Sequence, residues 1–167
     1  LSSHVFLNRF PTTATNVNRH RSRVVYRFFL ATDVLKLAER PVDPTSIEDF
    51  NPTLYNPACN VCHATIDPVA GAFQNWDTRG RYRMPDGGWN EDMLPPGFGD
   101  STIGFGERQS SLRWLAQEII KDERFATAAI HTMYKAMTGT EPLDGLTEFV
   151  TPDVASAKLE AFAVQSD

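Results

Sequence analysis

Cysteine is nearly absent from this sequence: 167 residues hold two, Cys59 and Cys62. A chain of this length buries roughly 70% of its unfolded surface and needs no covalent framework, and a disulfide closing so short a loop would constrain the unfolded chain little. Long apolar runs are missing too. None reaches the roughly 18 residues of a membrane-spanning helix, and charge interrupts "RFFLATDVLKLAE" within a turn or two. Nor is there a basic excess: 16 Lys and Arg against 21 Asp and Glu leave a net charge of −5, which argues against nucleic-acid binding, because duplex contacts need clustered cations. Strand-like alternation, internal repeats, a Ser-His-Asp set and a phosphate-binding glycine loop are all lacking. What is there, 41% hydrophobic and 22% charged residues, suits one globular domain of all-α class.

Residues 1–20 read as irregular. Over 21–40, Val24, Val25, Phe28, Phe29, Val34, Leu35 and Leu37 recur at three- and four-residue steps, which predicts an amphipathic helix ending near Pro41. Pro41, Pro44, Pro52 and Pro57 make 41–57 an extended linker. A short helical turn near 58–64, closed by Asp67-Pro68, opens a long glycine-rich loop that extends to 108. Helices return over 109–167: one capped by Ser110 and Ser111, a second from Asp122 to Gly139 with Met133 and Met137 in its core face, and a last one from Asp153 through Leu159 and Phe162.

Both cysteines fall in "NPACNVCHATIDP", where Cys59, Cys62 and His63 form Cys-x-x-Cys-His. Covalent haem attachment asks for two thiols adding across the vinyl groups of one porphyrin edge, with an imidazole beneath the iron. One helical turn supplies that arrangement. A redox dithiol would instead follow a strand and open a long helix. A structural zinc site wants four ligands, and only His4, His20 and His131 remain to complete it.

The loop after the motif is suited to haem. Phe73, Trp76, Tyr82, Trp89, Phe98 and Phe105 offer apolar walls, and Arg79, Arg81 and Arg83 offer donors for propionates. The second axial ligand decides the chemistry: a thioether raises the potential, a second imidazole lowers it, and an open position admits peroxide. Met93, late in the loop, is assigned the distal position. Met84 is the alternative, with His20, His131 and an open site as further options.

The stretch "NPACNVCHATIDPVAGAFQNWDTRGRYR", residues 56–83, resembles the haem-binding segment of planctomycete-type cytochrome c domains, also found in myxobacteria. The elements that carry the resemblance are Cys59, Cys62, His63, Asp67, Pro68, Gly71, Phe73, Asn75, Asp77, Gly80, Arg81 and Arg83. The resemblance implies a cytochrome c-like helical fold with long haem-wrapping loops and one haem c, in the C-terminal part of a longer exported chain. It also implies a periplasmic or extracellular location and single-electron transfer to redox partner proteins or within a larger complex, with no nucleic acid and no membrane span. The rival readings are a relay domain or peroxidase-like subunit of a larger redox enzyme, and haem as a structural staple.

Overall fold

Helix α4 (Pro57–Gly71) is the element against which most others are assembled. The computed structural model of the chain describes residues 1–37, 51–83 and 89–142, and only the backbone of Phe105 and Gly106. In chain order the elements are α1 (His4–Arg9), α2 (Arg19–Phe29), a 3-10 turn (Val34–Leu37), α3 (Pro52–Tyr55), α4, β1 (Gly97–Phe98), β2 (Ser101–Thr102), a second 3-10 segment (Phe105–Ser110), α5 (Ser111–Ile119) and α6 (Arg124–Thr138). The architecture is mostly helical. Its one sheet among the described residues is the antiparallel pair Gly97 with Thr102 and Phe98 with Ser101.

Several boundaries differ from the sequence reading. The first residues are not irregular throughout: Ser3 Oγ accepts the Phe6 N–H at 3.2 Å and caps α1, whose Leu7 is fully buried. The helix expected over 21–40 stops at Phe29, and Ala31 takes a left-handed φ of 47° before the chain re-forms as a 3-10 turn that buries Val34. The short turn expected at 58–64 is a fifteen-residue helix that runs through Pro68. Proline inside a helix removes one hydrogen bond and costs about 3 kcal/mol; burial of Val69, Ala70 and Phe73 beyond it offsets that loss.

The core joins Leu7 of α1, Val25 and Tyr26 of α2, Val34, Ile66 and Val69 of α4, Phe73, Phe98 of β1, and Leu112, Leu115 and Ile119 of α5. Ser111 Oγ donates to Ala72 O at 2.7 Å rather than capping its own helix. Helix α6 packs on α2 and buries Ala128, with Arg124 lying 5.8 Å from the Tyr26 ring centre. Met133 and Met137, expected in the core, are exposed at 64% and 83%. The helix expected from Asp153 lies outside the described residues.

One buried cation organises the α1–α2 end. Arg21 has no exposed surface, and all five of its N–H donors are used: Nε to Phe10 O, Nη1 to Asn18 Oδ1 and Trp76 O, Nη2 to Leu7 O and Asp77 O, at 2.8 to 3.1 Å. Gly80 closes against the same corner. Its φ is +70°, and a Cβ there would lie 2.7 Å from that of Leu7.

Candidate functional site

The Cys-x-x-Cys-His segment occupies the first two turns of α4. Asn56 caps the helix, its Oδ1 accepting the Ala58 N–H at 2.9 Å, and Pro57 holds the first helical position. Residues three and four apart share a helix face, so Cys59, Cys62 and His63 lie together. Both thiols are free and partly exposed. The Cys62 Sγ lies 3.3 Å from Val34 O and packs against the core edge.

His63 continues into a buried relay along the same face. Its Nδ1 lies 3.0 Å from Asp67 Oδ1, one turn on. Asp67 has no exposed surface, and Arg19, the first residue of α2, grips it with both arms of its fork: Nε to Oδ1 at 2.7 Å and Nη2 to Oδ2 at 3.1 Å. Burial pushes the Asp67 carboxyl up, but the hydrogen bonds from His63 and Arg19 and the Arg19 charge outweigh it and hold the group below its usual range. A carboxylate only accepts hydrogen bonds, so it is the Nδ1–H of His63 that meets Asp67, and in the neutral ring this tautomer leaves the lone pair on Nε2.

Met93 is buried, in a loop tied to α3 by the bond from Thr53 Oγ1 to Asp92 O at 2.9 Å. It lines an open cavity of about 550 Å³ with Leu54, Tyr55, Trp89, Leu94 and Pro95, within the usual range of roughly 300–1,000 Å³ for small-molecule pockets. None of its lining residues belongs to α4; its link to that helix is Leu54, whose carbonyl accepts from Asn60 Nδ2 at 3.4 Å. Met84, the alternative ligand, lies outside the described residues.

The other sequence-derived site residues gather at the opposite end of α4. Phe73 follows His63 by ten positions, about 15 Å at helical rise; it is fully buried and stacks on Phe6 at 6.2 Å. Trp76 pairs edge-on with Tyr82 at 5.3 Å, and its carbonyl is held by Arg21. Arg79, Arg81 and Arg83 are exposed around Asp77. The Arg79 and Arg81 amides donate to Asp77 Oδ1 at 2.8 and 2.9 Å, and the Arg81 and Arg83 guanidinium groups reach Oδ2 at 3.0 and 3.4 Å. The Arg81 amide is the largest influence that brings the Asp77 pKa down to about 2.

The sequence reading missed two members of the relay. The spacing of His63 and Asp67 is that of helical neighbours, but it carries meaning only once α4 is known to pass Pro68. Arg19 stands 48 residues from Asp67, and no local pattern joins them. Among the described residues no group of three or more His, Cys, Asp or Glu is placed to hold a metal ion.

Fold and site together define a mostly helical protein with a Cys-x-x-Cys-His turn at the exposed start of a half-buried helix. The chain belongs to the PSCyt3 family, described as a protein of unknown function (DUF1588), whose model matches residues 2–86. The matched span holds Arg19, both cysteines, His63 and Asp67, and ends before Met93. No curated protein and no solved structure matches the chain.

Proposed function

We propose that the chain is a c-type cytochrome of cytochrome c-like fold, with one haem held by thioethers from Cys59 and Cys62, His63 as proximal ligand and Met93 as distal ligand. The observation that carries this reading is an imidazole whose Nδ1 lies 3.0 Å from the buried Asp67 carboxylate, beside two unbridged thiols on the same helix face. The donor set suits the group in kind: two partly exposed thiols, an imidazole on the same helix face, and a buried thioether in the loop that follows α4. A haem held by these residues would supply one-electron chemistry between a donor and an acceptor. The residues around it hold and orient; none is asked to move a proton. The family name, of planctomycete-cytochrome type, is consistent with this use.

Covalent haem attachment accords with export, and we place the protein in the periplasm or outside the cell, as part of a longer chain or a larger complex. The net charge of −5 favours docking to a basic redox partner, with an on-rate that falls as salt rises. The test is absorption of the protein matured in a host able to attach haem, with a pyridine haemochrome assay and Met93→Ala beside wild type. Haem that resists acid extraction, with the thioether-to-iron band lost in Met93→Ala, is the expected result. A colourless protein ends the cytochrome reading.

A further inference from the structure

We propose that Arg19 is a positioning residue for His63: acting through Asp67, it limits the charge that the carboxylate lends to the imidazole and so keeps the reduction potential of the bound iron high. The inference rests on the cytochrome reading and adds a control element to it.

The geometry is a competition for one oxygen. Asp67 Oδ1 accepts from Arg19 Nε at 2.7 Å and from His63 Nδ1 at 3.0 Å, while Oδ2 takes the second arm of Arg19 at 3.1 Å. A carboxylate behind a metal-bound imidazole raises the basicity of that ligand, and a more basic ligand favours the ferric state. Density drawn towards the guanidinium is unavailable to the imidazole, so Arg19 opposes that drift. Asp67 is fully buried, so water does not level these charges.

Arg19 is not the sole tie between α2 and α4. Ser22 Oγ donates to Ile66 O at 2.7 Å, Val25 and Ile66 share the core, and the Arg21 hub ties the start of α2 to the turn beyond α4. The fork on Asp67 lies directly behind the histidine, and its residues come from two elements, α2 and α4, that the fold brings together there.

The experiment uses the full chain with haem attached: wild type, Arg19→Gln, Asp67→Asn and the double variant, each followed by redox titration, by the His63 Nδ1–H proton resonance of the reduced protein, and by thermal unfolding. Arg19→Gln is expected to move the ferric-to-ferrous equilibrium about tenfold towards ferric, about 59 mV for one electron, and to shift the Nδ1–H resonance downfield. Asp67→Asn is expected to move the equilibrium the other way, and adding Arg19→Gln to it to change little. A purely structural role would lower the melting temperature and leave potential and resonance in place, which overturns the proposal. An Arg19→Gln shift of equal size with and without the Asp67 carboxylate also overturns it, because the cation would then act on the iron directly. If Asp67→Asn does not fold, an unmoved Nδ1–H resonance in Arg19→Gln is enough to overturn it. A chain that matures without covalent haem defeats the cytochrome reading itself, and this inference with it.

Discussion

The two halves of α4 are one continuous helix with opposite fates. From Ile66 onward, Ile66, Asp67, Val69, Ala70 and Gly71 are buried, and the approach is so close that a Cβ on Gly71 would lie 2.6 Å from the Pro96 ring. From Pro57 to Thr65 no residue is buried, and Val61, between the two cysteines, is 47% exposed. Apolar packing accounts for the order of the second half. The first half presents thiols, an imidazole and apolar surface that the described residues leave partly exposed. The difference separates what the chain buries for its own stability from what it leaves accessible.

The largest effect should come from the buried half. Phe73→Ala removes a fully buried ring that packs on Phe6 and is expected to lower stability by about 3–5 kcal/mol in urea unfolding. A loss below about 1 kcal/mol would mean that this end is not a packed core, and Phe73 would return to the haem wall where the sequence reading put it.

A finer test makes the same substitution in both halves. Val69 is fully buried and Val61 is not. In a chain whose cysteines are replaced by Ala, so that nothing can attach through their thiols, Val69→Ala should cost about 2 kcal/mol and Val61→Ala less than about 0.5 kcal/mol. Equal losses would erase the contrast between the halves.

Periodicity made α2, α5 and α6 legible, because each carries an apolar stripe long enough to read. The six-residue α1 has no such stripe; it depends on the Ser3 cap and on Leu7 finding the core. Asp67-Pro68 reads locally as a stop, yet tertiary burial overrides it, and with it went the chance to see His63 and Asp67 as neighbours. The Cys-x-x-Cys-His residues were legible because their chemistry is local. The partners of the arginines were not legible: Arg21 is spent on carbonyls, Arg19 on Asp67, and Arg81 and Arg83 on Asp77, and each partner is set by the fold.

The smallest effect concerns that last group and decides whether those arginines belong to the fold or to a ligand. Asp77 titrates at about 2 in the folded chain, chiefly because the Arg81 amide donates to it, against about 3.9 for a free aspartate. A depressed carboxylate stabilises the fold above its unfolded pKa, and that contribution fades as pH falls from about 4 through about 2. Wild type should therefore lose stability relative to Asp77→Asn across that window, in unfolding curves taken at each pH. Because backbone donors lead and the exposed guanidinium groups add little through water, Arg81→Gln should keep most of the acid limb, and added salt should barely change it. If the limb vanished in Arg81→Gln or faded with salt, the side-chain pairing would be the main support of Asp77, and the same arginines would have to be given up by the turn before they could meet a propionate.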